Sequence, residues 1–224
     1  MTIKQAITKG MIMLKSNNVE SPKLKARLLL QYVLEKPRQY IIVYDNKEID
    51  KQQQWQYFVN IEKLTKGIPL QHITHRQEFM KMDFFVDENV LIPRSDTEIL
   101  VEEVIKIAQK YNSPRILDLC TGSGAIAISI KKYEQDVEMY ASDISKKALD
   151  IARQNANKND VNIEFIHSDM FNNLRSNTKF KNKFDIIVSN PPYIESGAIS
   201  KLPIEVINEP HIALDGRIGW IRFL

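Results

Sequence analysis

In the run FDIIVSNPPYI, Phe184 to Ile194, an apolar strand-like stretch stops at an asparagine, and two prolines and a tyrosine follow. A proline disfavours the helical region for the residue before it, so Pro191 keeps Asn190 extended and Pro192 does the same to Pro191. The side-chain oxygen of Asn190 and the carbonyl of Pro191 can then point into one small space as two fixed acceptors. Such a fork matches the two hydrogens of a planar amino group on an amide or a nucleobase, and Tyr193 offers a flat wall beside it. An amide nitrogen is a weak nucleophile because its lone pair is delocalised. Acceptors that take both hydrogens raise its electron density as positive charge develops in the transition state. Asn190 and Pro191 are therefore the catalytic candidates, and Asn190, Pro191, Pro192 and Tyr193 the substrate-binding set. The bland alternative is a rigid proline turn that merely ends a strand.

Three further motifs end strand-like runs. In DLCTGSGAIA, Asp118 to Ala127, Gly122 and Gly124 lead a strand into a helix. Glycines allow a tight turn and close approach of a ligand, and the helix start offers free N–H groups. The same run also fits a loose dinucleotide pattern, G-x-G-x-x-A. Asp143 ends the next strand, where a carboxylate can accept from the two hydroxyls of a ribose; capping the following helix is its competing role. In HSDMF, Asp169 can take the exocyclic amine of adenine, with Met170 and Phe171 packed on the ring. An adenosine site beside an amino-group fork implies methyl transfer from S-adenosylmethionine, with positioning supplying most of the acceleration. No metal is implied: His72 and His75 have no third ligand in view.

These motifs need a scaffold that brings strand ends together. After Pro114, strands and helices alternate: RILDLC, GSGAIAISIKK, VEMYASD, SKKALDIARQNANKN capped by Ser145, NIEFIHSD and FDIIVSN. That alternation implies a parallel sheet with ligands beyond the carboxyl ends of its strands. Before it, SDTEILVEEVIKIAQ reads as a helix opened by a Ser95–Glu98 capping box. GIPLQHITHRQEFMKMDFFVDENVLIP reads as a short hairpin, with Asp87, Glu88 and Asn89 as a turn. Residues 2 to about 66 carry helical periodicity. Ile7, Met11 and Leu14, then Leu24, Leu28 and the apolar cluster to Leu34, then Trp55, Phe58, Val59 and Glu62 mark the helical faces, with Ser21-Pro22 and Asp50 as helix starts. The expected division is a helical substrate-recognition domain over 1–74, a β-hairpin linker over 75–94 and a catalytic α/β domain over 95–224.

The 224 residues hold 43% apolar and 26% charged side chains, the balance of an ordinary globular chain. A net charge of +3 does not advertise a nucleic-acid groove, so no direct nucleic-acid binding is expected. A single cysteine, Cys120, excludes an internal disulfide and favours a reducing cytoplasm. No apolar run reaches membrane-spanning length, and a monomer is expected.

The chain resembles the HemK/PrmC family of protein-(glutamine-N5) methyltransferases over nearly its whole length. The resemblance lies in GIPLQHIT, EFMKMDFFVDENVLIPRSDTEILVE, ILDLCTGSGAIAIS, SDISKKALDIARQNA and FDIIVSNPPYI, and IPRSDTE is more specific than the glycine loop. It implies a class I S-adenosylmethionine-dependent methyltransferase fold, Rossmann-like, preceded by a small all-α domain. The implied reaction is methylation of the glutamine in the Gly-Gly-Gln motif of class 1 peptide-chain release factors. By the same resemblance Cys120, Thr121, Gly122, Ser123, Gly124, Asp143, Asp169, Met170 and Asn190 line the cofactor. Arg94, Thr97 and Glu98 brace the site.

Two features depart from the family. Cys120 stands where many members have glycine, tolerable if its φ stays negative. The end of the chain, DGRIGWIRFL, departs from the family's Gly-Gly-x-Asp-Gly-Leu run, and a one-base shift of a permissible coding of Gly219 to Leu224 restores Asp-Gly-Leu-Asp-Phe. A frameshift truncation is the resulting expectation, leaving the catalytic domain incomplete and the fourth strand an exposed edge. The competing readings are methylation of a ribosomal-protein glutamine, methylation of a nucleic-acid base amine, a nicotinamide oxidoreductase, and an inactive remnant. His167 and His211 read as structural, and Lys179, Lys181 and Lys183 as a solvated loop.

Overall fold

The computed structural model describes residues 1–176, 180 and 184–216. Lys179, Lys181, Lys183 and the divergent run from Arg217 onward lie outside them. The chain divides into two compact units: Met1–Thr74 with Pro203–Asn208, and His75–Leu202 with the residues from Glu209.

The first unit is helical: α1 (Ile3–Ser16), α2 (Pro22–Leu34), α3 (Arg38–Val43), α4 (Lys51–Thr65) and α5 (Leu70–Thr74). Capping boxes start two of them. Thr2 pairs with Gln5 at α1, and Asp50 pairs with Gln53 at α4. At α2 the Ser21 side chain makes no cap bond and Pro22 occupies the first turn instead. The apolar faces follow the sequence reading in part: Leu14 is core and Ile7, Met11 and Phe58 pack against it, but α2 and α4 are turned from the expected stripe at some positions. On α2, Ala26, Leu29 and Leu30 are buried while Leu24 and Leu28 are exposed; on α4, Tyr57, Ile61 and Leu64 are buried while Trp55 is 64% exposed. The reason is close approach. A β-carbon at Gly10 would lie 2.2 Å from the Tyr57 hydroxyl, so α1 and α4 meet through that glycine, and Tyr57 donates to the Ala26 carbonyl at 3.2 Å. The sequence reading assigns 203–208 to the catalytic domain, yet α10 (Ile204–Ile207) packs with this unit. Ile204 fills the space above Gly67, and Glu205 pairs with Lys25.

The second unit opens with the hairpin β1 (Gln77–Phe79) and β2 (Met82–Phe84). Its turn is Met80-Lys81, both at positive φ (48° and 59°), a geometry the sequence does not signal because neither residue is Gly, Asn or Asp. Asp87 to Asn89 is a further turn, in which Asp87 accepts from the Asn89 amide at 2.8 Å. Helix α6 (Asp96–Ala108) then buries Val101, Val104 and Ala108. Ser95 makes no cap bond there, contrary to the expected capping box. Glu98 instead accepts from the Met80 amide at 2.7 Å and so ties the hairpin turn to α6.

The alternation downstream builds β3 (Arg115–Leu119), α7 (Ala125–Tyr133), β4 (Glu138–Asp143), α8 (Lys146–Lys158), β5 (Glu164–His167), α9 (Asn172–Ser176) and β6 (Ile186–Ser189). The four strands pair in parallel in the order β5-β4-β3-β6. The chain moves outward from β3 to β5 and returns to the far side of β3, so strand order reverses at the β3–β6 junction. A crevice opens there beyond the carboxyl ends. Strand β3 is buried on both faces, Ile116 in one apolar cluster and Leu117 and Leu119 in another, as a central parallel strand must be. Register sets Leu119 beside Ser142 and Ser189, and Asp143 beside His167. The four motif-bearing loops therefore leave the sheet at one level. A 3₁₀ turn (Ser196–Lys201) and α11 (His211–Leu214) follow β6.

Candidate active site

Helix α7 begins on Gly124, which sits at φ +81°. A β-carbon here would meet Ile128 Cδ1 at 2.9 Å and Ala152 Cβ at 3.1 Å, so this glycine lets α7 pack on α8. Gly122, at φ +56°, has nothing within 4 Å of where its β-carbon would stand. One glycine of the motif serves packing, and the other faces open space. Between strand and glycines stands Cys120 at φ +63°, not the negative value its side chain favours. Holding a β-carbon in that region costs about 1–2 kcal/mol, which explains why glycine suits the position. Burial, with the charges of Asp143 and Asp118, pushes the Cys120 thiol up to about 12, so it stays protonated, and its sulfur lies 3.7 Å from that of Met170.

Asp143 is clamped: Oδ2 accepts from the Gly122 amide at 2.9 Å and Oδ1 from the Ser145 amide at 2.9 Å. The capping of α8 falls to Ser145, which accepts from the Ala148 amide at 3.2 Å. Burial raises the Asp143 carboxyl above its ordinary value, and the Ser145 and Gly122 amides oppose the rise. Each oxygen retains a lone pair for a further donor. The loop after β5 turns at Met170, φ +47°, with Ser168 donating to the Met170 carbonyl at 2.7 Å. Phe171, expected on the adenine ring, packs instead in the apolar cluster of Leu117 and Leu119.

These loops enclose a cavity of about 230 Å³. Its lining includes Cys120, Thr121, Gly122, Ser123, Asp143, Asp169, Met170, Asn190, Pro192, Arg94 and Thr97 from the sequence reading. Gly124, Glu98, Pro191 and Tyr193 are not part of that lining, and Tyr193 is 69% exposed. Asn190 borders the cavity, and its side chain makes no hydrogen bond within the described residues. His167 lies 2.9 Å from the Ile144 carbonyl, a structural contact, whereas His211 borders the cavity.

Two polar residues have bonding roles that the sequence reading did not assign, although it places Asn155 on the face of α8 with Ala148, Ile151 and Ala152. Asn155, 0% exposed within the apolar face of α8, donates to the Phe85 and Ser123 carbonyls at 2.9 Å each and accepts from the Phe85 amide at 2.7 Å. It stitches the segment after the hairpin to the glycine loop, and a polar residue in an apolar stripe was its signal. Glu209 is buried; it accepts from the Ile92 amide at 2.9 Å and pairs with Arg94. An isolated glutamate gives no such signal.

Residues 95–215 match the family model Methyltransferase small domain, and residues 5–74 match PrmC N-terminal domain. A release factor glutamine methyltransferase of Clostridium acetobutylicum is 43% identical over 228 residues, spanning 100% of this chain and 78% of that protein. The chain belongs to the release factor glutamine methyltransferase family. The enzyme of that name from Moorella thermoacetica is 38% identical, with 96% of this chain and 75% of that protein covered. One from Koribacter versatilis is 38% identical, with 96% and 76% covered. Family members are methyltransferases, and the parallel sheet with its motif loops is the class I S-adenosylmethionine-dependent fold. The residues present fit that cofactor. Gly122 leaves a cradle that a β-carbon would fill, and Asp143 faces the same cavity with acceptor capacity left. Among the described residues no helix is long and apolar enough to cross a membrane.

Proposed function

We propose that this chain methylates the side-chain nitrogen of the glutamine in the Gly-Gly-Gln motif of class 1 peptide-chain release factors, acting in the cytoplasm as a monomer. The observation that carries the reading is one cavity whose lining includes Asn190 together with Gly122 and Asp143. When bound, S-adenosylmethionine supplies an electrophilic methyl group. Asp143 holds hydroxyl donors, and Gly122 lets the backbone approach without a side chain in the way. Asp169, exposed at the rim, is available to an exocyclic amine, and Met170 lies against the same space.

The Asn190 side-chain oxygen accepts one hydrogen of the substrate carboxamide, and the Pro191 carbonyl accepts the other. Taking both hydrogens orients the nitrogen and stabilises the positive charge that grows on it. Transfer forms a carbon–nitrogen bond, breaks a carbon–sulfur bond and releases one proton from the nitrogen. Tyr193, exposed on the same loop, supplies apolar surface to the incoming peptide. Residues 1–74 form the substrate-recognition domain in this reading, and 75–94 link it to the catalytic domain.

The test is mass spectrometry of purified release factor after incubation with the chain and S-adenosylmethionine. A single methyl gain on the Gly-Gly-Gln peptide is expected, and Asn190→Ala lowers kcat by roughly 10²–10³-fold, as loss of one charge-stabilising group does. Methylation that appears only on a ribosomal-protein glutamine would redirect the substrate assignment.

A further inference from the structure

We infer that residues 209–216 form a brace that positions the Asn190–Tyr193 loop, with Glu209 and Gly216 as its positioning residues; the inference rests on the function proposed above. The loop has little means of holding itself. Pro191 and Pro192 lack N–H groups, so neither can donate to a neighbouring strand. Backbone pairing resumes only at Ile194, whose amide donates to the Leu214 carbonyl at 3.1 Å and whose carbonyl accepts from the Gly216 amide at 2.8 Å. Ile194 and Asp215 are thereby bridged in parallel.

Gly216 adds a steric constraint. A β-carbon at this position would lie 2.8 Å from Tyr193 Cα, 2.9 Å from Tyr193 C and 3.0 Å from the Pro192 oxygen. All three contacts are backbone, so no side-chain rotation relieves them. The two backbones touch where the prolines meet the tyrosine, and only glycine permits it.

The other end of the segment is pinned by charge. The Glu209 side chain is 2% exposed and paired with Arg94, and its second oxygen accepts from the Ile92 amide at 2.9 Å. Removing one partner of a buried pair leaves the other uncompensated, so this anchor is strong in one direction only. Between the anchors, His211, Ile212, Ala213 and Asp215 border the cavity. The Ile92–Arg94 wall is thus connected, through the six residues between Glu209 and Gly216, to the loop that carries Asn190. A displacement of about 1 Å in a reacting group can lower a rate by 10²-fold, so both anchors bear on kcat.

The test compares the full chain with Glu209→Ala, Glu209→Gln and Gly216→Ala. Amide exchange is read by NMR, cofactor stoichiometry and affinity by calorimetry with S-adenosylmethionine, and kcat on release factor. Exchange at Ile194 should rise roughly tenfold or more in Glu209→Ala and Gly216→Ala, while amides of the β3–β4 ladder are unchanged. The cofactor should still bind with full stoichiometry and within about threefold of its affinity, with kcat reduced roughly 10–100-fold. Glu209→Gln, which keeps an acceptor for Ile92, should fall between. Unchanged Ile194 exchange overturns the brace. Faster exchange with unchanged kcat, or stoichiometry that falls in step with kcat, overturns the positioning role. If the unsubstituted chain binds cofactor but methylates nothing, the function reading fails along with the positioning role, and the exchange pattern alone decides the brace.

Discussion

Asp118 lies under the glycine loop at 0% exposure, with Oδ2 accepting from the Thr121 hydroxyl at 2.6 Å and the Ala127 amide at 3.3 Å. Its Oδ1 has no partner among the described residues. Burial raises this carboxyl from 3.8 to about 7, against the pull of Thr121 and Ala127. The sign follows. Below about pH 4 both states are protonated and Asp118 imposes no penalty; above it the unfolded chain releases the proton first, and the folded state loses ground until about pH 7. Asp118→Asn should remove that loss. Between pH 5 and 7.5 the wild type should lose about 2–3 kcal/mol relative to the variant in urea titrations, and parallel curves would refute the burial argument. Cys120 gives a second residue-level expectation. With its thiol pushed up to about 12, alkylation at pH 8 should run roughly 10³-fold slower than for a free thiol until urea exposes it. The chain has one cysteine, so uptake of iodoacetamide reads this position alone. That Asn190, Gly122 and Asp143 meet at one cavity was legible in the sequence, because each ends a strand-like run at a motif. Glu209 was not, because its meaning comes from Arg94, far away in sequence and adjacent in space.

At the scale of elements, the two glycines before α7 make opposite predictions from one motif. Gly124→Ala adds steric overlap with Ile128 and Ala152 to an unfavourable φ, and should destabilise by roughly 2–4 kcal/mol in denaturant. Gly122→Ala meets no atom within 4 Å, so only the φ penalty of about 1–2 kcal/mol applies. Its larger effect should be weaker S-adenosylmethionine binding in calorimetry, because the new methyl enters the cradle. If both variants lose stability equally and bind alike, the division of labour between the glycines is wrong. The order of strands and helices after Pro114 was readable because buried β3 and amphipathic α8 each bury a face their pattern declares. Helix phase in the first unit was readable only in part, on α1 and toward the end of α2. Leu24, Leu28 and Trp55 are as apolar as the residues that are buried, and tertiary fits such as Tyr57 against Gly10 decide which stripe faces inward. The Ser95–Glu98 box failed for a related reason: the Met80 amide, held by a turn of two left-handed residues, offered Glu98 a tertiary partner.

For the whole molecule, the modest charge of +3 conceals an asymmetry between its parts. Residues 1–74 carry twelve Lys and Arg against six Asp and Glu, and the remainder carries nineteen against twenty-two. The whole-chain sum speaks only to a nucleic-acid groove; the division along the chain gives the sign its meaning. A positively charged helical unit draws in partners that present acidic surface, and it does so through encounter rate. Much of this charge is exposed, including Lys9, Lys15, Lys23, Lys36 and Arg38, so salt screens it readily. Raising ionic strength from about 0.05 M to about 0.3 M shortens the screening length from roughly 14 Å to roughly 6 Å. The KM for release factor should therefore rise several-fold over that range, while kcat and the affinity for S-adenosylmethionine hold steady if that ligand binds as proposed, within the cavity and through hydrogen bonds. Lys15→Glu combined with Lys23→Glu should raise KM at low salt and flatten the salt response. A KM indifferent to both salt and these substitutions would mean that the helical unit holds its substrate by shape and apolar contact alone.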